Sequence, residues 1–272
     1  MLTNQFLETA TKQLKGVGIS SARLDAELIV ALVLKTNRTK LLTNPPEKLT
    51  KEQLREANNY LKRRTHREPL AYIRGCIEFY GLDISVTPEV LIPRPETETM
   101  VEQAINVAPK GSTLIDVGTG SGAIALAIKA NRPDLEVQAC DISPDALTVA
   151  KQNAKQLKLD INVFETDILD HKNSLSKELP WRGIDTVVAN LPYVRKTDER
   201  SPETVYEPSL ALFAEDNGLR LYRKLLSRLP KSCNLLIVES NPDQVNELTA
   251  QAKHYRFKYH KASEFISIFA RD

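Results

Sequence analysis

The apolar positions of this chain change their period once. Up to about residue 70 they recur every three or four residues, and from Thr113 onward short β-branched runs alternate with helical stretches. In the first part, Thr3 or Asn4 can cap a helix that runs to about Leu14 and ends at Gly16 and Gly18. Ser20 or Ser21 can cap a second helix, in which Leu24, Leu28, Leu32 and Val33 recur at helical spacing. Asn44-Pro45-Pro46 breaks the pattern. Thr50 and Gln53 then have the spacing of a capping box, opening a third helix through Leu54, Ala57 and Leu61 towards Arg64. Residues 1–70 are expected to form a small all-helical domain, with recognition or docking as its role.

Between Pro69 and Tyr80 the composition turns apolar and aromatic, and Gly75, Gly81, Pro88, Pro93 and Pro95 punctuate residues 75–95. Residues 71–96 read as a hairpin and linker. Two prolines bracketing Arg94 hold it in extended backbone, which suits the wall of a substrate site as well as a rigid connection. From residue 97 to 272 a larger domain is expected. A helix over about Thr97 to Val107 precedes strands at Thr113–Val117, Val137–Asp141, Ile161–Phe164, Ile184–Ala189 and Leu235–Glu239. Helices at Ala123–Ala130, Pro144–Leu157, Gly218–Leu229 and about Asp243–Lys253 alternate with them. Arg256–His260 and Phe265–Phe269 close the sheet as an antiparallel end. The pattern predicts an α/β fold with a doubly wound, seven-stranded mixed sheet. The charged, proline-rich stretch from Arg195 to Asp216 has little periodicity and reads as a flap beside the strand that ends at Ala189.

Charge narrows the partners. Thirty-seven basic residues stand against 35 acidic ones, a net +2, which argues against a protein held mainly by phosphates. Lys51, Arg55, Lys62, Arg63, Arg64 and Arg67 form a local basic run, read as a solvated helix face ahead of an RNA surface. The three cysteines, Cys76, Cys140 and Cys233, are far apart and lack metal-ligand spacing, so no disulfide framework and no metal site is expected. Glu8, Lys12 and Lys15 interrupt the amino terminus, and no later stretch is long and apolar enough to span a bilayer. A cytoplasmic protein is expected.

The chemistry sits at strand ends. Asp116-Val117-Gly118-Thr119-Gly120-Ser121-Gly122 follows a strand and opens a helix, where glycines let a ligand approach the main chain. A glycine-rich turn alone fits a nicotinamide cofactor, a flavin or S-adenosylmethionine. The dinucleotide fingerprint needs Gly-x-Gly-x-x-Gly, whereas these glycines alternate and an acidic residue precedes them. A carboxylate there suits the ammonium of a methionine moiety better than a pyrophosphate, so S-adenosylmethionine is preferred. Asp141 is placed to accept ribose hydroxyls, and Asp167 lies where an adenine amino group would be bound.

Asn190-Leu191-Pro192-Tyr193 ends the strand over residues 184–189. The Asn190 side-chain oxygen and the Leu191 carbonyl are two acceptors for the N–H groups of a primary amide, Tyr193 offers a flat wall, and Pro192 stiffens the turn. Such acceptors orient a poorly nucleophilic nitrogen and bind it more tightly as it becomes positive. The set is expected to be both catalytic and substrate-binding, with Arg94 in the substrate site.

These segments resemble the HemK/PrmC-type methyltransferases that modify the glutamine of the Gly-Gly-Gln motif in peptide-chain release factors at N5. The resemblance rests on Pro69 to Ile73 with Gly75, Glu78 and Phe79, on Leu91 to Glu98, on Asp116 to Gly122 and Asp141, and on Asn190 to Tyr193 with Glu207-Pro208 and Ala211-Leu212. It implies a class I, Rossmann-like S-adenosylmethionine-dependent methyltransferase domain, with S-adenosylhomocysteine as product. It also implies a helical domain that helps recognise class I release factors. Gly118, Thr119, Gly120, Ser121, Gly122, Asp141, Asp167, Ile168 and Asn190 would contact the cofactor, and Asn190 also the glutamine. The family commonly has an aromatic near position 168. Its usual tetrapeptide is Asn-Pro-Pro-Tyr, and since the second acceptor is a main-chain carbonyl, Leu191→Pro is expected to leave activity nearly intact. Glutamine methylation of a ribosomal protein and N6-methylation of adenine in RNA or DNA are the alternatives, with a non-catalytic binding module as a third. A monomer without strong nucleic-acid affinity is expected.

Overall fold

Helix α1 (Thr3–Gly16) buries Phe6, Leu7, Ala10 and Leu14, the three-and-four spacing of one helical stripe. The computed structural model describes residues 1–170, 183–195, 197–261 and 263–271. They divide into two units: Met1–Gly75 together with 201–206, and Cys76–Arg200 together with Glu207–Asp272.

In the first unit, α1 is followed by α2 (Ala22–Val33), α3 (Arg38–Thr43), α4 (Lys51–Thr65) and α5 (Leu70–Arg74). The capping box expected at Thr50 is present: the Gln53 N–H donates to Thr50 Oγ1, and the Thr50 N–H donates to Gln53 Oε1. The buried stripe of α2 differs from the one read from its leucines. Ala26, Ile29, Val30 and Val33 are buried, whereas Leu24 is 41% exposed. Asp25 and Glu27 are buried beside that stripe. Arg64 Nε donates to Asp25 at 2.7 Å, and Arg23 and Arg38 donate to Glu27 at 2.6 and 2.7 Å. Two charged residues on the core side hide the true face from an apolar count. Helix α3, capped by the Asn37 side chain, is not legible in the sequence either, because six residues carry too little period.

Part of the basic run is internally neutralised. Arg63 pairs with Glu68 at 2.5 Å, while Glu203 accepts from Arg64 at 3.1 Å and from Arg67 at 2.9 Å. Lys51, Arg55 and Lys62 remain exposed.

The second unit opens with a hairpin, β1 (Cys76–Phe79) and β2 (Leu82–Ser85). A 3₁₀ turn over Pro95–Thr97 leads into α6 (Glu98–Val107). The strands and helices then run β3 (Thr113–Val117), α7 (Ala123–Asn131), β4 (Glu136–Asp141), α8 (Pro144–Leu157), β5 (Asn162–Glu165) and β6 (Thr186–Ala189). They continue as α9 (Ser209–Leu212), α10 (Arg220–Arg228), β7 (Leu235–Glu239), α11 (Val245–His254), β8 (Phe257–Lys261) and β9 (Ile266–Arg271). One seven-stranded sheet results, in the order β5-β4-β3-β6-β7-β9-β8. Its first five members are parallel and β9 is antiparallel to both neighbours, as the alternation and the close terminal pair predict. Residues 114–117 of β3 and all of β6 are buried, consistent with strands covered on both faces.

This order places the site. From β3 the chain winds outward to β4 and β5, then returns to β6 on the other side of β3. The β3–β6 boundary is therefore the topological switch point, where an open α/β sheet leaves a crevice at its carboxyl edge. Asp116 to Gly118 leave that edge from β3, and Asn190 leaves it from β6.

Candidate active site

The glycine loop is held from β4. The N–H groups of Gly118 and Thr119 donate to the Cys140 carbonyl at 2.8 and 3.0 Å, and the Gly120 N–H donates to Asp141 Oδ2 at 2.9 Å. Asp141 Oδ1 accepts from the Ser143 N–H at 3.0 Å, so this carboxylate ties loop to helix while keeping spare lone pairs on both oxygens. Burial pushes its carboxyl up, opposed by those N–H donors. Gly118 has φ +78, and a Cβ built there would stand 2.8 Å from Leu191 Cδ2. A side chain at this position would adopt a strained backbone conformation and have to displace the Leu191 side chain of the tetrapeptide.

Asp116 is fully buried. Its Oδ2 accepts from the Thr119 hydroxyl at 2.6 Å, and its Oδ1 has no hydrogen-bond partner among the described residues. Burial pushes this carboxyl up to about 7, against the Thr119 hydroxyl and Ala125 N–H that favour the charged form. The Asp116 carboxyl lies beside the ligand loop, where a carboxylate suits the ammonium of a methionine moiety, although it lines neither cleft of the site.

A cleft of about 900 Å³, counted out to its mouth, runs along the sheet edge. Gly118, Gly120, Asp141, Asp167, Ile168, Asn190, Leu191 and Pro192 line it, faced by residues 89–91 and by Pro208, Leu210 and Ala211 from the segment read as a flap. Lys196, within that segment, lies outside the described residues. Ile168, where the family commonly has an aromatic, lines the cleft with φ +49. The Asp167 carboxylate is paired with Lys224 of α10. A smaller adjoining cleft is lined by Arg94, Thr97, Thr119, Ser121 and again by Gly118, Gly120 and Asn190. Asn190 thus borders both. Gly122 and Tyr193 line neither: Gly122 packs against Ala150, and Tyr193 is turned to Glu239.

Arg94 donates to Glu207 Oε1 at 2.5 Å, and Glu207 Oε2 accepts from the Ile92 N–H at 3.2 Å. Glu207, with a buried side chain, holds the proline-bracketed segment in place.

The tetrapeptide is clamped residue by residue. Asn190 Nδ2 donates to Thr97 Oγ1 at 3.2 Å, the Leu191 N–H donates to the Tyr222 hydroxyl at 3.1 Å, and the Tyr193 hydroxyl donates to Glu239 Oε1 at 2.9 Å. Gln244 Nε2 donates to the Tyr193 carbonyl at 3.0 Å. Burial pushes the Tyr193 hydroxyl up, and the Glu239 charge adds to it. Sequence reasoning does not single out Thr97, Tyr222, Glu239 or Gln244 as site residues. Glu239 is legible in kind, as an acidic residue ending a strand. The others take their roles from contacts across 31 to 93 positions of sequence.

These contacts revise the expectation for Leu191→Pro. Proline has no N–H for the Tyr222 hydroxyl, and the Leu191 side chain is 3% exposed within the core around Tyr222 and Leu225. The substitution is expected to cost about 2–4 kcal/mol in stability from the cavity and the lost donor. Turnover per folded molecule should fall less than fivefold, because the Leu191 carbonyl persists. Urea unfolding beside initial rates checks both; wild-type stability would remove the argument.

A seven-stranded sheet of this order, with a glycine loop and acidic strand ends at its switch point, defines a class I S-adenosylmethionine-dependent methyltransferase. A methyltransferase from Pyrococcus furiosus shares the fold, with a TM-score of 0.52 at 15% identity over 71% of this chain and 90% of that one. Residues 5–75 match the PrmC N-terminal domain, and residues 97–206 match the methyltransferase small domain. The chain is 38% identical to the release factor glutamine methyltransferase of Coxiella burnetii, over 86% of this chain and 85% of that protein. It is 37% identical to the Escherichia coli protein of the same name, over 79% and 76%. The chain belongs to the release factor glutamine methyltransferase family.

Proposed function

We propose that the protein transfers a methyl group from S-adenosylmethionine to the side-chain amide N5 of the Gly-Gly-Gln glutamine in class I release factors. The observation that carries this reading is the position of Asn190 on both clefts, with its amide held from behind by Thr97. Gly118 to Gly122, Asp141, Asp167 and Ile168 would hold the cofactor, which supplies an electrophilic methyl group on a sulfonium. Asn190 Oδ1 and the Leu191 carbonyl accept the two N–H groups of the glutamine amide and aim its lone pair. The Tyr222 hydroxyl has one proton, and its nearest acceptor is the Glu239 carbonyl, so the Leu191 carbonyl at 3.4 Å keeps its lone pairs. As the nitrogen gains positive charge its N–H groups become stronger donors, so both acceptors favour the transition state. No base is required before transfer; as the N–C bond forms and the sulfonium S–C bond breaks, the amide becomes cationic, and one of its N–H protons then leaves to solvent to give the neutral N-methyl amide.

Residues 1–70 serve as the recognition domain in this reading, 71–96 as hairpin and linker, and 97–272 as the methyltransferase domain, in a cytoplasmic monomer. Ribosomal-protein glutamine and nucleic-acid adenine are disfavoured as substrates: the curated relatives are named for release factors, and Arg63, Arg64 and Arg67 of the basic run are engaged by carboxylates. Incubation with S-adenosylmethionine and purified release factor should add one methyl to the motif glutamine, read by peptide mass. Absence of transfer to either class I factor would sink the reading.

Cofactor affinity should depend on pH. In the free protein Asp116 is largely protonated below about 7, and a nearby ammonium favours its charged form. Binding then releases a proton, so affinity rises as pH climbs from 6 to 8, by at most about tenfold per unit. Calorimetry in buffers of different ionisation enthalpy would detect the proton, and Asp116→Asn should flatten the profile. A flat wild-type profile would remove Asp116 from cofactor binding.

A further inference from the structure

A glutamine amide must meet an acceptor, yet the Asn190 side chain carries an oxygen on one arm and an NH₂ on the other. Rotation by half a turn would present donors to donors. Something must fix which arm faces out.

The Asn190 amide rests on Thr97 Oγ1, and Thr97 Oγ1 in turn rests on Glu239 Oε2 at 2.7 Å. Glu239 ends β7 beside the end of β6 and is 3% exposed. We propose that Glu239, acting through Thr97, is the positioning residue that turns the Asn190 carbonyl oxygen toward the substrate nitrogen. This rests on the glutamine methylation reading above.

A carboxylate has no proton to give, so the Thr97 hydroxyl must spend its only one on Glu239. Its remaining lone pairs can then only accept, and the Asn190 arm that reaches them must be Nδ2. Oδ1 is left pointing away. The Tyr193 hydroxyl donates to the second carboxylate oxygen, so Glu239 also fixes the last residue of the tetrapeptide. Burial pushes the Glu239 carboxyl up, while Thr97, Tyr193 and Asn190 hold its charged form. The Glu96 carboxylate acts against that form, and the Tyr193 and Tyr222 hydroxyls face Glu239 as neutral groups. Protonated Glu239 could donate to Thr97, freeing the threonine proton for Asn190 Oδ1 and reversing the amide.

Thr97→Val keeps the shape and removes the hydroxyl, while Thr97→Ser keeps the hydroxyl. In the full-length protein, Thr97→Val should lower kcat by about 10- to 100-fold, less than the roughly 10²–10³ lost with a direct transition-state contact. KM for release factor and the dissociation constant for S-adenosylmethionine should stay within about threefold. Thr97→Ser should recover kcat to within about threefold of wild type. The acid limb of kcat should weaken in Thr97→Val, because the hydroxyl path from Glu239 to Asn190 is lost and only the direct Asn190–Glu239 contact is left. A readout without substrate accompanies this: by NMR, the Asn190 side-chain N–H signals should exchange faster in Thr97→Val than in wild type, and not faster in Thr97→Ser. Wild-type turnover in Thr97→Val, an equal loss in Thr97→Ser, or unaltered exchange would each overturn the relay. If the wild type methylates no release factor, the functional reading fails first, and the exchange measurement still decides the relay.

Discussion

Asn190→Ala is expected to lower kcat for release-factor methylation by about 10²–10³-fold, equivalent to roughly 2.7–4 kcal/mol of transition-state stabilisation. The loss falls on kcat because the acceptor matters most as positive charge develops on the amide nitrogen. Affinity for S-adenosylmethionine should change by no more than about threefold, since Gly118, Gly120, Asp141 and Ile168 line the larger cleft independently of the Asn190 side chain. Alanine also removes the donor to Thr97, whose hydroxyl keeps Glu239 as its partner, so little stability should be lost. Single-turnover rates together with calorimetric titration separate the two quantities. Full turnover would refute the assigned role, and a parallel collapse of cofactor binding would assign Asn190 to the cofactor instead.

Gly118→Ala should produce the opposite division, with cofactor affinity falling by about thirtyfold or more. Gly118 sits at φ +78, where an L-residue costs about 1–2 kcal/mol. The added methyl would also stand 2.8 Å from Leu191 Cδ2, and Leu191 is buried, so the strain passes into the tetrapeptide. Either the loop shifts away from Cys140 and Asp141, which now hold its N–H groups, or Leu191 is displaced. Both change the shape of the cleft. Equilibrium binding of S-adenosylhomocysteine measures this without turnover, and affinity within threefold of wild type would show that the loop tolerates a side chain.

Reading the site from sequence succeeds where function follows local chain chemistry. The glycine loop, Asp141 and Asn190 all lie within a few residues of a strand end, and strand ends are visible as apolar, β-branched runs bounded by turns. It misses groups recruited from elsewhere. Tyr222 sits on a helix 31 residues beyond Leu191, and nothing in its own surroundings marks a hydroxyl that accepts from the tetrapeptide. The face of α2 escapes an apolar count for a related reason: Asp25 and Glu27 are core residues only because Arg64, Arg23 and Arg38 reach them.

The sequence by itself determined the order of the longer helices and of the sheet strands, the seven-stranded sheet with its antiparallel end, the acidic strand ends and the character of the tetrapeptide. Each of these is set by periodicity or by neighbours along the chain. Only the tertiary structure decided that Glu239 and Thr97 stand behind Asn190, that Glu207 holds Arg94, and that Leu191 packs against Gly118. The reason is physical: a hydrogen bond's direction depends on which groups meet, and parallel strands bring distant segments together at one edge. Composition fixes what a side chain can donate or accept, and the fold fixes to whom.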